Sequence, residues 1–208
     1  MKARLFFFTF LAFLLLFSAC KKDPYKYEVS GTVTEFGTNE PIEGAEVYLL
    51  DCVTDGSATA CDTAEILITD AAGRYRTPFL SAAGRFPIIS AFVPDYFPSS
   101  EHFVTENRNS EIDFVLDPFA WLNVRVVNDI PAGEADRLKL GYEYGSGELS
   151  GWIENLGSNV DKTYFARTKG NRDGYLLWRT YENSVLLEEF EDNINIPAHD
   201  TLYYEIRY

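Results

Sequence analysis

The sequence predicts an all-β protein built as two β-sandwich domains in tandem. Three observations predict it. After residue 24, apolar residues recur at every second position in run after run, the period of a half-buried strand, and no segment shows a convincing helical period. Asp117-Pro118 breaks the chain near its middle, because the residue before a proline is held extended and proline cannot donate to a ladder. Counted from residue 25, about 90 residues lie on each side of Pro118, which suits two small sandwiches better than one large one.

The first strand is read from Tyr25, Tyr27, Val29, Gly31 and Val33, which alternate with Lys26, Glu28, Ser30, Thr32 and Thr34. Ala45-Val47-Leu49 and Ile112-Phe114-Leu116 repeat the pattern, and the run Phe86–Pro94 is apolar on both faces, as a central strand requires. Beyond Pro118, Leu122-Val124-Val126, Leu138-Leu140-Tyr142-Tyr144 and Leu202-Tyr204-Ile206-Tyr208 alternate in the same way. The stretch Gly170–Tyr175 contains Asp173-Gly174, a hairpin signal that predicts pairing between "TYFART" and "YLLWRTY". No motif of the first half recurs in the second, so no internal repeat is expected.

Lys2 and Arg4 make a basic start, and Leu5 to Phe17 follow as an apolar run interrupted only by Thr9. Spanning a bilayer takes about 20 apolar residues, so an uncleaved anchor would be too short, whereas an export signal fits. Leu16-Phe17-Ser18-Ala19-Cys20 resembles the bacterial lipoprotein signal, in which a small pair precedes an obligatory cysteine; Phe17 is bulkier than that family prefers. The resemblance implies cleavage before Cys20, a thioether-linked diacylglycerol and palmitate on Cys20, and attachment to the outer membrane on its periplasmic or cell-surface face. Each buried methylene contributes about 0.8 kcal/mol, so two or more chains anchor stably where one is marginal. Residues 20–24 then form a lipidated tether. Lys21-Lys22-Asp23 is similar to a charged tether that directs some lipoproteins outward, and a generic polar spacer reads as well.

Removing residues 1–19 takes Lys2 and Arg4 from the 18 basic residues, leaving 16 against 32 Asp and Glu. So acidic a surface repels nucleic acid, whose binding needs clustered Lys and Arg. Anionic headgroups repel it too, which leaves the lipid to hold the membrane; the charge itself keeps the protein soluble.

If Cys20 is lipidated, Cys52 and Cys61 remain as a pair flanking "VTDGSATA", a stretch rich in turn formers. Outside the cytoplasm a disulfide between them is expected, stabilising by about 2–3 kcal/mol in the chain-entropy model. A metal pair is the competitor, but no His lies near either cysteine and no C-x-x-C spacing occurs.

The stretches Val29–Leu49 and Thr69–Leu80 resemble the carboxypeptidase regulatory-like domain, through Gly31, Val33, Pro41, Ile42, Gly44, Ala45, Val47, Thr69, Asp70, Gly73 and Tyr75. The resemblance spans residues 25–117 and implies a transthyretin-like, seven-stranded sandwich. Pro41 and Gly44 are expected to shape the first connection, Asp70 to cap a tight turn through its carboxylate, and Gly73 to supply its positive φ. The second half, residues 119–208, is read as a second β-sandwich of no recognised family.

That domain accompanies carboxypeptidases without their chemistry, which needs clustered His and Glu ligands and a general base. This chain has only His102 and His199, and "HFVTE" lacks the H-x-x-E spacing. Ser150-Gly151 lacks the G-x-S-x-G elbow, Glu188-Glu189 is what an acidic surface predicts, and "DAAGRY" has too few spaced oxygens for a calcium loop. The chain therefore reads as a non-enzyme without metal or cofactor. Trp121, Trp152, Trp178, Tyr142, Tyr144, Tyr175 and Tyr181 are read first as core packing, with Trp152, in the polar "GSGELSGW", the candidate for stacking against a sugar. Asp62-Thr63-Ala64 and Asp200-Thr201-Leu202 resemble an O-glycosylation site of exported bacterial proteins.

Three functions follow from these readings. The leading one is a lipid-anchored binding or accessory module for glycan or a partner membrane complex. The alternative is a structural or assembly subunit of a surface filament or complex, and the third is an enzyme of unrecognised type. A concave aromatic patch would favour the first, and a long unprotected edge strand the second.

Overall fold

The fold is seen in a computed structural model that describes residues 25–82, 84–105, 109–129, 133, 136–143 and 153–208. It is all-β and forms two sandwiches. The first comprises β1 (Tyr25–Glu35), β2 (Glu46–Asp55), β3 (Ala58–Ile68), β4 (Arg74–Ser81), β5 (Phe86–Phe92), β6 (His102–Phe103), β7 (Asn109–Glu111) and β8 (Phe114–Leu116). The second comprises β9 (Phe119–Val127), β10 (Arg137–Glu143), β11 (Ile153–Leu156), β12 (Asp161–Lys169), β13 (Asp173–Glu182), β14 (Val185–Asn195) and β15 (Thr201–Arg207).

Alternation decides the cores. Tyr27, Val29, Val33, Val47, Leu49, Ile89, Phe114 and Leu116 face inward in the first sandwich. Leu122, Val124, Val126, Leu138, Leu140, Leu176 and Ile206 do so in the second. Burying each such side chain contributes about 1.5–3 kcal/mol, which is what fixes strand register.

One sheet of the first sandwich has the order β4-β1-β7, with β8 continuing β7 alongside β1, and the other has the order β3-β2-β5-β6. In the second sandwich the orders are β12-β9-β15 and β11-β10-β13-β14. These are one topology written twice. In each, the first strand pairs antiparallel with the fourth and parallel with the last. The absence of an internal repeat holds for the residues and not for the fold: strand order repeats through burial pattern alone.

One further expectation is corrected. "TYFART" and "YLLWRTY" do not form a hairpin; β12 pairs with β9, and β13 pairs with β10 and β14 in the other sheet. The turn between them crosses from sheet to sheet, and its positive-φ residue is Asn171 rather than Gly174. The turn formers of "VTDGSATA" place a tight turn at Gly56-Ser57. It is the tip of the β2–β3 hairpin, in which Cys52 and Cys61 stand opposite each other and are disulfide-bonded.

The turn residues of the first sandwich act as their types predict. Asp70 Oδ1 accepts from the N–H groups of Ala72 and Arg74, both at 2.9 Å. Gly73 has φ +68°, and a Cβ there would lie 2.6 Å from the Val33 carbonyl oxygen. Buried Thr69 donates from Oγ1 to the Ile42 carbonyl at 2.6 Å and accepts from the Ala45 N–H at 2.9 Å. The bonds from the Arg74 and Ala72 amides hold the Asp70 carboxyl below its ordinary value of 3.8. Asp70 therefore contributes stability that is present above that value and lost as pH falls through the folded one. Thermal melts should show the wild type above Asp70→Asn at pH 7, with the gap narrowing as pH falls below the ordinary carboxylate range; a gap that stays constant would remove the carboxylate from the turn.

Candidate functional site: a locked joint and open strand edges

Only Asp117 and Pro118 separate β8 from β9. In place of a linker there is a joint. The Asp117 carboxylate receives Arg172 Nε at 2.5 Å and Lys169 Nζ at 2.7 Å, and its side chain is 12% exposed. Arg172 also lies over the Phe36 ring at 3.7 Å, and Arg167 over Phe119 at 4.2 Å, with Phe97 edge-on to Phe119. Asn171 donates from Nδ2 to the Phe36 carbonyl at 2.9 Å and accepts the Ala198 N–H at 3.0 Å. Backbone bonds run from Gly170 to Pro118, from Phe119 to Asp95, from Phe97 to Asp117 and from His199 to Phe119. Gly170 is needed for this closeness, since a Cβ would lie 2.8 Å from the Ala198 Cα. Tyr96 donates to Glu35 at 2.7 Å; burial first and that bond second push its phenol up.

The β3-β2-β5-β6 sheet and the β11-β10-β13-β14 sheet each carry one long exposed edge. In the first it is β3, of which only Leu67 is partly buried. In the second it is β14, of which only Ile194 is buried. On β14, Val185 is 62% exposed, Leu186 49%, Leu187 56% and Phe190 40%. Glu188, Glu189, Glu191 and Asp192 share the strand. Leu187, Glu188 and Phe190 border a hollow of about 220 Å³ that extends to Arg207 and Tyr208. Side chains cross from β14 to β15: Tyr204 donates to Asp192 at 2.6 Å and its ring meets Trp178 edge-on. Burial and the Asp192 bond push the Tyr204 phenol up to about 12.

Among the expected site residues, Cys52 and Cys61 form their disulfide. Cys20 and Trp152 lie outside the described residues, as does Tyr144. Trp178 stacks on Phe190 at 5.3 Å within the second sandwich, and Tyr181 lies beneath Arg137. Trp121 is on β9, in the opposite sheet from Trp178, so the aromatic residues are divided between layers. His102 is edge-on to Phe114, and His199 belongs to the joint, 3.4 Å from the Tyr96 hydroxyl. Among the described residues no three of His, Cys, Asp and Glu converge as a metal site.

No family model matches the chain, and no curated protein matches it. Solved structures resemble it loosely. The Bacillus anthracis TIE protein matches with a TM-score of 0.36 and 12% identity, over 88% of this chain and 34% of that one. GBS52, the minor pilin of Streptococcus agalactiae, matches with a TM-score of 0.38 and 11% identity, over 87% of this chain and 94% of that one. The shaft pilin SpaA of Lactobacillus rhamnosus GG gives 0.37 and 6%, over 86% and 97%. The chain spans about a third of the length of the TIE protein. Likenesses this loose leave function to be argued from the residues themselves.

The joint makes a mechanical prediction. Asp117→Ala leaves Lys169 and Arg172 without their shared carboxylate, a cost of about 2 kcal/mol. Spin labels at Thr59 and Asn193 should give one narrow distance distribution in the wild type and a broader one in the variant. A broad wild-type distribution would refute a locked joint.

Proposed function

We propose that this chain is a non-catalytic assembly subunit of a bacterial surface structure, tethered to the outer membrane by lipid on Cys20 and joining its neighbours through unprotected strand edges. The observation that carries this reading is β14, an 11-residue edge strand exposed along nearly its whole length and bearing Val185, Leu186, Leu187 and Phe190. An edge of this length offers a row of unpaired N–H and C=O groups to another chain, and natural proteins otherwise blunt such edges. The locked joint supports the same reading, because a subunit with its two sandwiches fixed transmits load and holds its edges at constant spacing. The sugar-binding alternative has weaker support: Trp178 is committed to Phe190 and Tyr204, and no other described aromatic residue joins it in an open platform.

Native electrophoresis of membranes dissolved in mild detergent tests the proposal. The wild type should migrate well above the position of a single chain, and Leu187→Lys with Phe190→Lys should collapse it to monomer. Cys20→Ser should lose labelled palmitate and leave the membrane fraction. A wild type that migrates as monomer, or a Cys20→Ser form that stays membrane-bound, would overturn the corresponding half of the reading.

A further inference from the structure

The second sandwich has two open flanks of opposite character. Tyr164 of β12 bonds to Asn155 of β11, so these two edge strands lie together on one flank. Tyr204 of β15 bonds to Asp192 of β14, which places the other pair of edges on the opposite flank. The β14 flank is acidic. Glu189 is held by Arg179, whereas Glu188 and Glu191 have no ion pair among the described residues. The β12 strand, "DKTYFARTK", is basic: its Asp161 is taken up by Arg125, and it presents Lys162, Arg167 and the 65%-exposed Phe165. β12 contains no proline, whereas β4, its topological counterpart in the first sandwich, is interrupted by Pro78.

We propose that β14 of one copy pairs with β12 of the next, acidic edge on basic edge, so that copies of this chain join head to tail in an open series. This rests on the assembly reading and specifies its partner and contact. The pairing is heterologous, because the surface used on one copy differs from the surface used on its neighbour; such contacts propagate into filaments where the rotation does not close. Charge selects the arrangement. Two β14 edges would bring Glu188, Glu189, Glu191 and Asp192 against their own kind, and two β12 edges would oppose Lys162 and Arg167 to theirs. Only the mixed pair is attractive. Main-chain ladder bonds then supply the contact, as in other strand additions.

The test uses the full chain with Cys20→Ser in sedimentation velocity at low salt. One variant carries Glu188→Lys and Glu191→Lys, making both edges basic; a second carries Lys162→Glu and Thr163→Glu, exposed β12 positions away from the joint, making both acidic. The wild type is expected to form species beyond dimer as concentration rises, and each variant alone to associate at least about ten-fold more weakly. An equimolar mixture of the two variants restores a mixed edge at every contact and is expected to polymerise again. If the wild type associates and either variant alone matches it, or if the mixture stays monomeric, the β14–β12 pairing is wrong while self-assembly stands. If the wild type is monomeric at every concentration, both the pairing and the self-assembly it presumes are wrong. Circular dichroism of each variant separates lost pairing from lost folding.

Discussion

The Asp117 carboxylate holds the protein's geometry together. It ends the first sandwich, and the two cations that neutralise it, Lys169 and Arg172, belong to the second. A two-residue connection between independent domains would ordinarily be a hinge, since domain interfaces within a chain move by default. Here the residues on both sides of Pro118 are bonded into the neighbouring sandwich, and Arg172 and Arg167 cover aromatic rings that would otherwise be wet. The joint thus converts two small sandwiches into one body. Open edges on a rigid body have a fixed spacing and direction, which a flexible pair could not offer to a repeating assembly.

Charge shapes what such a body can meet. An excess of acidic residues disfavours the approach of polyanions and of a second copy in most orientations. The excess is not spread evenly, however. Carboxylates gather on the β14 side of the second sandwich and cations on the β12 strand. Within the second sandwich, β14 on β12 is the attractive pairing between two copies. In the proposed assembly, a contact of this kind is sensitive to ionic strength.

How much of this was legible in the sequence depended on whether the information was local. Alternating residues such as Val29, Val33, Leu122 and Val124 revealed the strands, because burial on one face leaves a period of two wherever it occurs. Asp70 and Gly73 revealed a turn because a capping carboxylate and a positive φ are properties of a few consecutive residues. Asp173-Gly174 misled for the same reason. It marks a change of direction but not whether the chain returns along its own sheet, and β12 and β13 part because Gly170 and Asn171 are held by Pro118, Ala198 and Phe36 across the joint. The repeated topology was invisible because strand order needs only matching burial, not matching residues. Edge strands were the hardest to see, since an edge is defined by the neighbour it lacks. The signal that could have marked β14 is "LLEEFED", where apolar and acidic residues follow one another without the alternation that a covered strand shows.

In the proposed assembly the strand edges of the second sandwich are the working surface of the protein. Hydrogen exchange followed by mass spectrometry, in dilute and in concentrated samples, tests this most directly. Amides of β14 and β12 should gain protection as concentration rises, while β4, interrupted by Pro78, exchanges at the same rate throughout. Unchanged exchange in β14 and β12 at the highest concentration reached, or protection confined to the first sandwich, would contradict it.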